Sequence, residues 1–490
     1  MGRTRLLGKT RIVRRVGFCP IAGTVLILGL SAKDGPAAAK APTSHPSRSV
    51  GKDDGYRGIW YYNEKLNSEY KYKYSGGLGT YCADHIPFAY YAPKANKTFF
   101  CYGGTRKDKL QLLEMVSYYD HATGMVPRPT ILMDKGTDDA HDNPVILLDD
   151  AGYVWVFASS HGTSRPSYLF KSDQPYSVES FRVVRVTNFS YPQPWYLKNR
   201  GLLFLHTLYK GGRGLNWSTS PDGIQWTAPQ LLSHVEQGHY QISWPHGDKV
   251  GTAFNYHPQK GGLNRRTNLY YLETSDLGKT WRTVRGETVD VPLTTVRNKA
   301  LVRDYQSEKL LVYLVDMNYD DRGHPVILYV TSRGFESGPK NDPRTWTTAR
   351  WTGTDWVIRP VTTSDSNYDV GCLHIESDGT WRIIGPTEPG PQRYNPGGEM
   401  ACWTTRDRGT TWTKERVITK NSPFNHTYAR RPVNAHPDFY AFWADGHARE
   451  PSASRLYFCD KTGRHVYRLP PIMRGDFEKP ERVGTSDIVR

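Results

Sequence analysis

"STSPDGIQW" (218–226), "ETSDLGKTW" (273–281) and "TTRDRGTTW" (404–412) repeat one turn, and a shorter version, "ESDGTW", stands at 376–381. In each, the Asp carboxylate accepts backbone amides of its own turn and the Gly takes a conformation other residues avoid. The Trp then folds down to plug the space between sheets. Asp222 and Asp276 are 54 residues apart and Asp276 and Asp407 are 131, so the unit recurs at about one small sheet's length, with insertions.

Helical periodicity is nearly absent, and 45 glycines and 33 prolines punctuate short apolar runs in a chain that is 13% aromatic. The repeated turns are Asp-boxes, the kind seen in β-propellers. From Gly51 to Arg490 there are 440 residues, which at ~60 per four-stranded blade make seven blades. The expected fold is all-β, a seven-bladed β-propeller over 54–490. Such a fold gathers its chemistry where the innermost strands converge on a central channel.

Ahead of the blades, the first 16 residues carry six Arg or Lys and no acid, and an apolar stretch, Gly17–Ala32, follows. That is the layout of a secretory signal over 1–32, so the protein is expected to be secreted or periplasmic; an uncleaved anchor is the alternative. Residues 33–53, rich in Ala, Pro and Ser, read as a flexible spacer. Of the formal charge of +16, residues 1–50 account for +8, leaving a moderately basic body that suits an acidic ligand and has no Lys/Arg stripe for nucleic acid. A monomer is expected. Beyond Cys19 in the leader, Cys82, Cys101, Cys372, Cys402 and Cys459 are too few and too irregular for a disulfide framework, and they read as buried thiols, with a Cys82–Cys101 bridge as the alternative.

The stretch "TDDAHDNPVILLDDAGYVWVFASSHGTSRPSYLF" (137–170) alternates through Val145–Leu148, turns at Asp149–Gly152 and continues through Tyr153–Ser159. In an antiparallel hairpin, the residue before the first strand and the residue after the second lie at the same end, so His141 and His161 are expected to meet in one solvent-facing pocket. The alternative is that His141 only caps a turn with Asp142 and Asn143. Around the hairpin, "SYPQPWY" (190–196), "HTLYKGGRGLNW" (206–217), "GHYQISW" (238–244) and "NYHPQKGGLNRRTNLYY" (255–271) mix aromatic faces with Arg. A sugar cleft needs flat faces for stacking and forked donors for carboxylates, which nominates Arg213, Tyr240, Tyr256, Arg265 and Arg266. The adjacent Arg265 and Arg266 are the first choice as a carboxylate clamp, with a surface ion pair to Asp276 or Glu273 as the alternative.

His85, in "YSGGLGTYCADHIPFAYY" (74–91), reads either as a core histidine or as a catalytic one. Cys372 and His374 share one face of a strand, because side chains repeat every two residues; with Cys402 and His426 they are the candidate structural metal set, for zinc or, on another ligand set, calcium. The chemistry itself requires no cofactor. In 434–449, His436 and His447 are too far apart for a compact ligand pair on one element, and this segment reads as the closing blade.

"GYRGIWY" (55–61), "YSGGLGTYCADHIPFAYYAPKANKTFFCYGGT" (74–105), "DDAHDNPV" (138–145) and "RTNLYYLETSDLGKTW" (266–281) resemble the BNR-type propeller superfamily of carbohydrate-active enzymes. That superfamily includes ulvan lyases, rhamnose–glucuronate lyases and α-L-rhamnosidases that cut rhamnose from glucuronic acid. The resemblance implies a polysaccharide lyase acting on an acidic polysaccharide by β-elimination. It matches His141 and His161 to the lyase histidines and Tyr191 to the lyase tyrosine. Where the lyases usually place an arginine, this chain has Thr207, so Arg213, or Arg265 and Arg266, would neutralise the carboxylate. In the rhamnosidase-like family the histidine matched by His85 serves catalysis on the opposite face, which makes a hydrolase the alternative. A non-catalytic carbohydrate-binding propeller is the third reading.

Overall fold

The computed structural model describes residues 49–483. Seven antiparallel sheets of at least four strands follow one another along the chain. Their first strands are Ala89–Ala92, Pro144–Leu148, Ser190–Leu197, Gln241–His246, Leu311–Tyr319, Cys372–Ile375 and Asn425–Arg430, and we number the blades 1 to 7 in that order. From blade 1 to blade 6, each of these strands touches its counterpart in the next sheet, so they line the centre of a ring. The fold is an all-β, seven-bladed propeller. Among the described residues the helical segments are three 3-10 turns, Ala140–Asp142, Gly262–Arg265 and Pro339–Asn341.

The Asp-boxes make the hydrogen bonds their residue types call for. Asp222 Oδ1 accepts from the amides of Ile224 and Gln225 (both 2.8 Å), and Asp276 and Asp407 serve their own turns in the same way. Gly278 has φ +82°, and a Cβ there would run into the Trp217 indole of the preceding blade. Each box is therefore pressed against its neighbouring sheet. Six blades bury at least one large indole each, Trp155, Trp195, Trp281, Trp346, Trp381 and Trp443 being the most enclosed, while blade 1 packs Tyr56, Phe100 and Tyr102. Wedges of this size matter because a propeller has no single core, only the apolar seams between sheets.

Closure of the ring joins blades 7 and 1: Tyr90 bridges Val433, and the late segment Phe477–Glu478 pairs with Val126–Pro127. Gly51–Lys52, inside the stretch expected to be spacer, is instead an outer strand of blade 1, paired with Thr130 and Ile131. The signal assigned to 1–32 lies outside the described residues. All five described cysteines are buried and free, so Cys82 and Cys101 are unbridged.

The hairpin of blade 2 runs Pro144–Leu148 and Val154–Ala158 in antiparallel register, with Pro144 opposite Ala158. His141 and His161 each lie three residues beyond that pair, at the same strand end. This edge of the ring, where first strands begin, is the channel mouth.

Gly278→Ala is expected to destabilise the fold by about 1–3 kcal/mol, since it crowds a filled seam from a left-handed position. Equilibrium denaturant unfolding reads this directly, and an unchanged midpoint would show that the seam has slack.

Candidate active site

The centre of the site is Asp139. As the N-cap of the turn Ala140–Asp142, it receives the His141 amide (3.0 Å), and its two oxygens then divide between two rings: Oδ1 lies 2.7 Å from His141 Nδ1, and Oδ2 2.8 Å from His161 Nδ1. The imidazoles stack, with centroids 3.9 Å apart. A carboxylate accepts only, so both Nδ1 atoms donate to it and each neutral ring keeps its lone pair on Nε2. For His141 that nitrogen accepts from the Tyr81 hydroxyl at 2.8 Å, with the Tyr61 hydroxyl 3.3 Å from the other. Among the described residues His161 Nε2 has no such partner, and His161 is partly exposed.

The expectation that His141 faces solvent is therefore corrected: it is buried and fully bonded, and His161 is the accessible ring. Burial, with the neighbouring imidazole, lowers the His141 pKa, against the pull of Asp139. Burial alone would raise the Asp139 carboxyl, but the two imidazoles outweigh it and hold it well below the usual carboxylate range. Behind them Arg165 grips Asp142 (2.8 and 2.9 Å) and touches Asp139 (3.3 Å). Asp142 in turn accepts the His161 amide (2.8 Å).

Tyr191 is the second residue of the first strand of blade 3. Its hydroxyl lies 3.1 Å from that of Tyr209 and 3.5 Å from that of Tyr240, and its ring is 6.3 Å from His141. Burial, then the adjacent phenols, push its pKa well above the ordinary value, so at neutral pH it is a proton donor. Thr207 is buried in the neighbouring strand, but Arg213 stands directly across from Tyr209 in register and spreads over Tyr209 (5.3 Å) and Tyr240 (5.6 Å). A guanidinium thus reaches the place from the next strand. Arg266 arrives from blade 4, buried between Tyr240 (4.8 Å) and Tyr313 (4.6 Å). It donates to Leu263 O (2.8 Å) and the Tyr368 hydroxyl (3.3 Å).

A hairpin, Trp60–Lys65 with Tyr72–Gly77, completes the wall. It packs on blade 7 and brings in Tyr61, Lys73 and Tyr74. Lys73 bonds Glu64 (2.8 Å) and Asn264, while burial and then Arg266 pull its pKa down to about 8. The Tyr74 hydroxyl meets that of Tyr368 at 3.1 Å.

Other candidates fall elsewhere. His85 is fully buried on this same side, with its ring 5.7 Å from Tyr191, and does not stand on an opposite face. Its Nδ1 meets Tyr81 O at 3.3 Å and its Nε2 has no hydrogen-bond partner among the described residues. Tyr256 is buried in a seam against Tyr270, away from the mouth, where His257 lies under Tyr240 instead. Arg265 is exposed and makes none of the contacts that hold Arg266. The Cys/His set does not converge. Cys372 Sγ is 3.7 Å from His374, but Cys402 accepts from Arg382 (3.1 Å) and His426 is bonded at both nitrogens, to Ser422 and Trp443 (2.9 Å each). Among the described residues no three of these four bring donor atoms within 4.8 Å of one another.

Sequence reasoning missed Asp139, Tyr61, Tyr81, Lys73, Arg165 and Asp84. Asp84 is the least expected, a carboxyl buried near the mouth: burial pushes its pKa up to about 7, and Arg266, Arg430 and Arg213 oppose this.

Residues 114–364, half of the chain, match the model of BNR repeat-containing family members. The chain belongs to the BNR repeat-containing family. Within curated proteins, this family member is 22% identical to an ulvan lyase of Nonlabens ulvanivorans over 431 residues, covering 77% of this chain and 86% of that one. It is 21% identical to an ulvan lyase of Alteromonas sp. (strain LOR), covering 70% and 77%. Among solved structures, a PL25 ulvan lyase bound to -[GlcA(1-4)Rha3S]- shares the fold with a TM-score of 0.63 at 16% identity, over 83% of this chain and 96% of that one.

Asp84→Asn is expected to raise the melting temperature more at pH 8 than at pH 5. A carboxyl whose folded pKa is raised favours the native state fully only below its unfolded value near 4, and that contribution is lost as pH climbs through about 7. Asn has no such term. Melting curves of both proteins across this range decide it, and a gain independent of pH would show that Asp84 titrates normally.

Proposed function

We propose that this protein is a polysaccharide lyase that cleaves the bond to a glucuronate in an acidic, rhamnose-containing polysaccharide by β-elimination. The observation that carries the reading is the grouping, at one channel mouth, of a buried guanidinium (Arg266), a half-buried one (Arg213), a proton-donating phenol and an imidazole with a free ring nitrogen. The ulvan lyases among its relatives support the same reading.

Elimination removes the uronate C5 proton, whose acidity is low until the adjacent carboxylate is neutralised. Arg213 and Arg266 are the cations for that carboxylate. Arg213 Nε is buried without a hydrogen-bond partner among the described residues, and both guanidiniums lie against the Tyr240 ring (5.6 and 4.8 Å), so one substrate carboxylate can draw on both. His161 Nε2 takes the C5 proton, its ring held by Asp139 as a base is held by its orienting carboxylate. The electrons form the C4–C5 double bond, the C4–O bond breaks, and the leaving oxygen takes the Tyr191 proton. Returning one proton from imidazolium to phenolate resets the site. His141 positions the dyad without touching substrate, because both of its nitrogens are occupied.

Hydrolysis ordinarily needs two carboxyl groups flanking the scissile bond. Here Asp139 and Asp142 are tied to histidines and Arg165, and His85 lies beneath Tyr191 and out of reach.

Incubating the protein with ulvan, and separately with rhamnose-capped arabinogalactan, while following unsaturated-uronate absorbance and free rhamnose, separates the classes. Absorbance is expected. Free rhamnose without absorbance would mean a hydrolase, and neither signal would mean a binding module. Within the lyase reading, His161→Asn and Tyr191→Phe should each lower kcat by at least ~100-fold. Arg266→Ala should cost about 3 kcal/mol in kcat/KM, and an active Tyr191→Phe would remove the phenol from the proton path.

A further inference from the structure

A second cluster of ligating side chains lies on the other edge of the ring. His121 directly follows the third strand of blade 1, Leu112–Asp120, and His436 sits in the turn after the first strand of blade 7. In antiparallel sheets the first and third strands end on the same edge, opposite the edge where first strands begin. His121, His436 and Asp438 are therefore remote from the channel mouth. The imidazoles of His121 and His436 approach to 3.8 Å between centroids, and one donor atom from each of the three residues lies within 4.8 Å of the others. His436 Nδ1 is 3.7 Å from the Asp438 carboxylate and accepts the Asp438 amide at 3.2 Å, which makes it an unprotonated nitrogen.

His121 is prepared in the same way. Its Nε2 meets Thr98 Oγ1 at 2.8 Å, while its Nδ1 is buried with no hydrogen-bond partner among the described residues. A buried ring nitrogen left unpaired is costly unless something occupies it. A metal-bound imidazole typically has its second nitrogen held by a polar neighbour, the part Thr98 plays here. Tyr91 packs against both imidazoles (5.3 and 4.9 Å) and Tyr119 stands edge-on to His121 (4.9 Å), a shell that restricts water on one side.

We propose that His121, His436 and Asp438 form a binding site for a divalent transition metal of the zinc class. Two imidazoles and a carboxylate are the donor set such ions take, and hard oxygen-seeking cations do not select it. Ligands on a tetrahedral ion lie about 3.4 Å from one another, so small side-chain rotations close the cluster. Asp438 is exposed, which leaves the remaining position to water. The ion would tie blade 7 to blade 1 beside the Tyr90–Val433 bridge, where the ring closes. Because it binds the folded ring, it would stabilise that state by mass action.

The test uses full-length protein stripped with a chelator, dialysed and titrated with zinc chloride by calorimetry at pH 7.5, with melting curves alongside. Asp139, His141 and His161 form the other metal-capable group, so His161→Asn is the control. One zinc per chain is expected, with a higher melting temperature on binding. Both effects should persist in His161→Asn and weaken at least tenfold in His436→Gln, a change on a partly exposed turn that leaves the seams intact. Asp438→Asn should weaken binding less. Cobalt(II) in the unmodified protein should give the absorption of a four-coordinate nitrogen–oxygen site. Equal zinc affinity in His436→Gln, loss of binding in His161→Asn alone, or no saturable binding would each overturn the proposal.

Discussion

The carboxylate of Asp139, shared between two imidazoles, is the interaction on which the channel mouth depends. Sharing fixes both tautomers at once: each Nδ1 must donate, so the rings present Nε2 lone pairs, one to Tyr81 and one to the channel. It also fixes their stack, which no free pair of protonated rings would hold at 3.9 Å. A partly buried charge is held by pairing, and the pairing continues inward through Arg165 to the fully buried Asp142 and on to Lys135 (3.7 Å), whose ammonium is capped by Ser159 and Pro166 carbonyls. The network anchors a 3-10 turn and a loop that have no strand to hold them.

Across the channel the balance is reversed. Arg213, Arg266 and Lys73 are set among the faces of Tyr209, Tyr240, Tyr313 and Tyr74 more than among carboxylates. Aromatic faces stabilise buried cations through their quadrupoles and leave the net charge in place. An Asp or Glu in those positions would pair with the guanidiniums and cancel the field an anionic sugar must feel. Lys73 is the exception, since Glu64 tethers it, and burial already weakens its hold on a proton. Asp84 fits the same logic: burial keeps its carboxyl partly protonated at neutral pH, so it quenches less of the surrounding positive charge than an ionised acid would.

Much of the architecture was legible because its signals are local. An Asp-box is written in nine residues, and hairpin geometry alone puts His141 and His161 together. What resisted reading depends on parity and on distant segments. Tyr256 is an aromatic in a promising stretch, but the register shift between Phe254 and Tyr256 turns it into a seam. Cys372 and His374 share a face as the two-residue period requires, yet nothing in the sequence says that Arg382 takes Cys402 or that Trp443 takes His426. Asp139 stood in plain view in "TDDAHDN", among acids that no periodicity can rank. Lys73 and Tyr81 reach the mouth from a hairpin and loop about 60 residues before His141, and such contacts leave no trace in spacing.

The mouth is aimed by local irregularity in otherwise regular sheets. Tyr191, second in its strand, has φ +53° and Tyr428 lies within its own at φ +52°, left-handed values that cost a non-glycine residue of order 1–2 kcal/mol. Both coincide with register shifts, between Ser190 and Gln193 and between Thr427 and Arg430. An extra residue there breaks the alternation that would send every second side chain into the seam, so the phenol can turn toward the channel. Tyr191 thereby joins Tyr209 and Tyr240, and Tyr428 stacks edge-on with Tyr81 at 5.1 Å, backing the ring that donates to His141. Straight strands would close the ring equally well. Among the first strands of the seven blades, left-handed non-glycine residues occur in these two, whose tyrosines border the histidine pair, and the packed seams hold them there.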